Sequence, residues 1–241
     1  MDDSFFKKLF FDWSKVYYTT PIVIVCSFLA IVFGIKYYQK EKTHILFIIY
    51  SISTFLLFLL AESFTIISLK TSRNKAAIIE TGNILFEFIE LSVFYYFFLQ
   101  IINSNVVRLI MKSSFIVFLI LVILFFVKVN DQNLSKNQVV QFSALIGSIK
   151  IFLFLIPIFT YFFELFTKDP VNDIFYSPSL WITSGLFLYC LSTLPFLLIS
   201  DSLGTSNRSL YFLMFSIHFL SLSLLFLTII KAFTCKKPIT T

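Results

Sequence analysis

The sequence predicts an all-α fold, a polytopic membrane bundle of seven transmembrane helices with a short interfacial helix at its N-terminus. Hydrophobic residues make up 58% of the 241 positions and charged residues 13%, against roughly half and a quarter in soluble domains. Mean hydropathy is +0.91. Apolar runs of about 18 residues or more recur along the chain, each long enough for a hydrocarbon core about 30 Å thick.

The elements follow in order. Over residues 3–15, Phe5, Phe6, Leu9, Phe10 and Trp13 share one helical face, with Lys7, Lys8, Asp12 and Lys15 largely on the other. That is the pattern of a helix lying in the membrane interface. Seven spans are then read at about 21–38, 45–69, 82–102, 108–128, 139–165, 179–200 and 209–231. Tyr17, Tyr18, Tyr37 and Tyr38 flank the first as interfacial anchors. That run is too long for a signal peptide, and no small-x-small cleavage site follows it. Every connection is short, so residues 1–241 read as a single transmembrane domain. Only five glycines occur, none spaced as GxxxG, so the 34 phenylalanines must fill most of the interior. Pro157 and Pro195 each remove a backbone donor inside a span and predict kinks, with Ser192 placed to take up a freed backbone group near Pro195.

The net charge is +6. Because Lys and Arg lie between the apolar runs, they anchor loops at lipid head groups, and the bilayer rather than nucleic acid is the expected partner. They divide nine to nine between the two sides. Lys7 and Lys8 lie farthest from a span and count least, which places the N-terminus outside and the C-terminus inside the cell membrane. Three cysteines without a spacing pattern predict neither a disulfide framework nor a metal site. Cys235, beside Lys236 and Lys237, has the position of an acylation site but reads as an ordinary tail cysteine.

Charges inside hydrocarbon cost about 2.5–3.5 kcal/mol each on insertion scales and ask for a reason. Glu62 falls in the second span, Glu87 and Glu90 in the third, Lys150 in the fifth and the titratable His218 in the seventh. Glu80, Asn83, Glu87 and Glu90 follow helical spacing along one face. In the fifth span Ser143, Gly147, Lys150, Pro157, Tyr161 and Glu164 line another. Glu90, Lys150 and His218 lie within about 5 Å of their span midpoints, and Glu62 and Glu87 about 8 Å away. With alternating span directions, the off-centre groups fall in the same membrane half, on the side of the 2–3, 4–5 and 6–7 loops. A hydrated pocket for a small ligand or ion is therefore expected around Glu62, Asn83, Glu87, Glu90, Lys150 and His218. Three carboxylates cannot all be neutralised by one lysine.

Several chemistries are excluded. The last span has no deep lysine for a retinal Schiff base, and no Asp lies mid-membrane for an aspartyl dyad. His44 and His218 are too few for a seven-span metal hydrolase. HExxH, GxSxG and Pro-Gln motifs do not occur. No enzyme, cofactor or metal is expected.

NILFEFIELSVFYYFF in the third span, SPSLWITSGLFLYCL leading through the sixth, and IHFLSLSLLFLTIIKAFTC at the end resemble uncharacterised small seven-span membrane proteins of Bacteroidetes-type bacteria. Pro178, Trp181, Gly185 and Tyr189 carry the most specific part of the likeness. The resemblance implies the same fold, a sensor-kinase partner and no catalytic residues. Where that family often has Asn early in the last span, this chain has Ser216 and His218.

These features together predict a receptor-like or sensory bundle that signals through a partner. The alternatives are a proton-coupled or small-solute transporter and a structural subunit of a membrane complex. Seven spans put the termini on opposite sides, so reporter fusions at residues 1 and 241 should give opposite signals. Matching signals remove the seven-span topology.

Overall fold

Long apolar segments in lipid must satisfy every backbone group internally, and the helix does so within one segment. The computed structural model describes residues 19–37, 42–67, 73–130, 136–167, 177–206 and 208–235. They form seven α-helices: α1 (Thr19–Lys36), α2 (Lys42–Ile67), α3 (Arg73–Ile101), α4 (Asn105–Asn130), α5 (Lys136–Thr167), α6 (Pro178–Ser206) and α7 (Arg208–Phe233). Six are long and apolar enough to cross a membrane, and α1 is a shorter apolar helix. The amphipathic segment expected at residues 3–15 lies outside the described residues.

Most helices outrun the spans read from sequence. The largest difference is at α3, which begins at Arg73 rather than near residue 82. Hydropathy falls off where charges begin, whereas backbone hydrogen bonding carries on through Asn74, Lys75 and Glu80 into the polar interface.

The helices close a ring in the order α1, α2, α3, α5, α6, α7, with α4 packed outside against α3 and α5. Composition accounts for the outlier. In α4 only 22% of the span is buried, against 50% in α5, and α4 has the highest mean hydropathy of the six spans, 2.8. A helix with no polar stripe has nothing to hide from lipid and suits the periphery.

Helices α3 and α5 run parallel, in a register marked at three levels. Glu87 faces Gly147, the Tyr95 hydroxyl donates to the Leu153 carbonyl at 3.3 Å, and Asn103 meets Glu164. The last contact fixes the connection between α3 and α4. The Glu164 carboxylate accepts from the backbone N–H groups of Asn103 and Ser104 and from Asn103 Nδ2 at 2.9–3.2 Å. Ser104 Oγ in turn accepts from the Val107 N–H at 3.4 Å as the N-cap of α4. A carboxylate held over a helix N-terminus satisfies orphan donors and complements the helix dipole. Glu164 thus closes one end of the bundle and does not join the polar pocket.

Helices α6 and α7 run antiparallel, with Trp181 opposite Lys231, Gly185 opposite Thr228, and Thr193 opposite His218. Pro178, Gly185 and Tyr189 are buried along α6 and Trp181 is half-buried, with the Lys231 ammonium 5.8 Å from its ring centre. The stripe behind the family resemblance is therefore a packing face of α6. Helices α5 and α6 continue past Pro157 and Pro195 to Thr167 and Ser206. Near Pro195 the expected use of Ser192 is not seen: its hydroxyl donates to the Tyr189 carbonyl at 2.9 Å. The carbonyl left without its helical donor by Pro195 is that of Leu191, four residues back. Cys26, Cys190 and Cys235 are buried, and Cys235 Sγ donates to the Lys231 carbonyl at 3.4 Å, so that thiol is not presented for acylation.

At Gly185 helix α6 comes close to α7. A Cβ there would lie 2.0 Å from Thr228 Oγ1 and 2.9 Å from its Cβ. Gly185→Ala should therefore destabilise the fold by about 1–3 kcal/mol through overpacking. Thermal unfolding in detergent measures it, and adding Thr228→Ala should recover part of the loss. An unchanged unfolding temperature for Gly185→Ala would show that the helices are not in contact there.

Candidate functional site

Of the polar stripe of the third span, Glu87 and Glu90 face the interior of the bundle, with Glu90 at the centre of the site. The Glu90 side chain is fully buried and paired with Lys150 of α5 through Oε2. The Tyr50 hydroxyl of α2 donates to Oε1 at 2.8 Å, and the Tyr189 hydroxyl of α6 lies 3.5 Å from Oε2. Four helices converge on one carboxylate. Helix α7 adds an apolar wall, with Phe226 stacked on the Tyr50 ring at 5.5 Å.

Lys150 stands between two acids. Its ammonium is 3.3 Å from Glu87 Oε2, one helical turn from Glu90, and the lysine is 1% exposed against 17% for Glu87. The rings of Phe86, Phe154 and Tyr189 lie 6.0, 5.9 and 5.7 Å from Nζ. Ring faces favour a cation most where water is scarce. Gly147 makes the arrangement possible, since a Cβ there would sit 2.9 Å from Glu87 Oε1. The site is thus graded: Glu90 and Lys150 are sealed, and the Glu87 side chain keeps 17% exposure.

Other expected members are placed differently. His218 joins through aromatic contact, its ring 5.6 Å from Tyr189 and stacked on Phe196, with Nδ1 2.9 Å from Thr193 Oγ1. Asn83 is exposed and donates to Glu80 Oε2 at 3.2 Å, two turns from Glu90 and away from Lys150. Glu62 belongs to α2, but its side chain lies outside the described residues. Pro157 is buried in α5 and Pro195 is exposed on α6.

Tyr50, Tyr189 and Thr193 were not among the residues expected at the pocket. A signal for the tyrosines exists: a hydroxyl deep in an apolar span must find a partner. Thr193 carries no such signal, because most of the described serines and threonines return their hydroxyls to their own helix. Ser51, Thr54, Ser92, Ser148 and Ser223 all donate to the carbonyl four residues back, at 2.7–2.9 Å.

Chemically the cluster can hold positive charge. With all three groups ionised, two carboxylates and one ammonium leave a formal charge of −1. Among the described residues no group of three or more His, Cys, Asp or Glu is arranged to hold a metal ion. Compared with protein-family models, curated proteins and solved structures, the chain gives no match.

Breaking a buried pair strands a charge and typically costs about 3–5 kcal/mol, while replacing both partners costs far less. Lys150→Met alone should therefore lower the folded yield in detergent more than Lys150→Met combined with Glu90→Gln. Tyr50→Phe should cost about 1–3 kcal/mol by leaving Glu90 Oε1 without its donor. If the double variant is no better than the single, the charges are not balanced within this chain.

Proposed function

We propose that the chain is a receptor-like, sensory seven-helix protein of the cell membrane whose polar half-bundle binds a small cation. It signals through a partner membrane protein, the role that the likeness to small seven-span bacterial proteins implies. In this reading α1 is the seventh crossing. Its 18 residues span about 27 Å and fall within the usual range of crossing lengths. The N-terminus lies outside, so the pocket opens to the exterior.

One observation carries the ligand class: Lys150 is shared by a sealed carboxylate and a partly exposed one. Glu90 has its lysine and the Tyr50 hydroxyl. Glu87 has a share of the lysine and is the partly exposed member, the side from which a cation would approach. A cation arriving there meets a carboxylate and the half-buried ring of Phe86, which lies 6.0 Å from Lys150 Nζ. Binding would compete with Lys150 for Glu87 and bias how α3 sits against α5. An effect of that size requires the ligand to prefer one arrangement over the other.

Cysteine accessibility tests the reading. Glu87→Cys, in liposomes, should react with a membrane-impermeant thiol reagent, and in the unaltered protein small alkylammonium ions should raise the unfolding temperature, an effect that Glu87→Gln should remove. The native cysteines are buried and set the background. Leu85→Cys, on the lipid-facing side at 44% exposure, should stay unreactive. If Glu87→Cys reacts no faster than Leu85→Cys, there is no water-filled pocket. Cation flux into protein-containing liposomes above that of empty ones would make the protein a carrier instead.

A further inference from the structure

A second feature lies in the other half of the bundle, away from the ion pair. Between the first turns of α2 and the second half of α3 is a groove of 460 Å³ lined by Lys42, Ile45, Leu46, Ser92, Val93 and Tyr96. Its volume is that of a small-ligand site, roughly 300–1,000 Å³. It exists because α4 covers α3 on its α5 side and leaves the α2 side open. The walls are apolar. Ser92 contributes no free donor, since its hydroxyl donates to the Phe88 carbonyl at 2.7 Å.

The mouth is different. Lys42 opens the α2 span, at the level where a bilayer places its head groups, and its side chain is exposed. Lys42 is the one charged residue among those that line the groove. An apolar slot with an exposed lysine at its mouth matches the shape of an acyl chain ending in a negatively charged head group.

We propose that this groove is a selective site for an anionic phospholipid, with the phosphate at Lys42 and one acyl chain lying along Ile45, Leu46 and Val93. The site is independent of the cation pocket. It touches the same framework, however, because Leu46 stands one turn from the Tyr50 that binds Glu90. A chain seated there packs against α2 and α3 together.

Native mass spectrometry of the full chain in detergent tests this, with phosphatidylglycerol and phosphatidylcholine added in equal amounts and thermal unfolding followed in parallel. The expected result is preferential retention of one phosphatidylglycerol and a higher unfolding temperature with it than with phosphatidylcholine. Lys42→Ala should reduce the preference about fivefold, the share of one surface lysine, and Lys42→Arg should keep it. Ile45→Trp enlarges an exposed side chain and should reduce retention of both lipids by blocking the slot. Equal retention of the two lipids by the unaltered protein overturns the proposal. So does a preference that survives Lys42→Ala, retention unchanged by Ile45→Trp, or glycerol phosphate alone reproducing the thermal shift.

Discussion

A carboxylate and an ammonium placed in hydrocarbon must satisfy one another, or the helices that carry them will not stay where they are. In this protein the pair is Glu90 and Lys150, and the arrangement of the bundle is legible from its requirements. Glu90 needs donors for both oxygens, so α2 supplies Tyr50 and α6 supplies Tyr189. Lys150 needs counter-charge and ring faces, so α3 must present Glu87 and Phe86 on the same side as Glu90. Helix α4 makes no part of this and is free to lie outside.

The helices, their order and the meeting of Lys150 with the third span could be read from the residues, because charge in an apolar run is conspicuous and helical spacing fixes which residues share a face. Three features could not. The ends of α3 were hidden because hydropathy measures the membrane rather than the helix. The role of Glu164 was hidden because its partners are backbone N–H groups of a loop some 60 residues away, and backbone donors look alike in any sequence. The donation of Ser192 to Tyr189 was hidden because a hydroxyl near a proline has several carbonyls in reach, and packing decides among them.

The packing devices are economical for so apolar a chain. Aromatic rings fill the centre in edge-on and stacked pairs, as with Phe47 against Phe94 and Phe97. Three of the described glycines sit at tight contacts, Gly34 against Ile48 and Phe233 among them. Gly185 lets two helices close on a threonine, and Gly147 makes room for a carboxylate. Neither position belongs to a repeated motif, which suits a bundle whose cohesion comes from large side chains and a few polar contacts rather than from close backbone seams.

Besides the Tyr95–Leu153 hydrogen bond, the parallel pair α3 and α5 is fastened at two heights, by Lys150 near the middle and by Glu164 near one end. Fourteen residues separate them, about 21 Å along the axis. Two dowels at that spacing forbid one rod from sliding along the other, because any slip would have to break both at once. A twist about the common axis is cheaper, for it disturbs the contacts unequally. Sliding of α3 along α5 therefore costs more than a relative twist of the two helices.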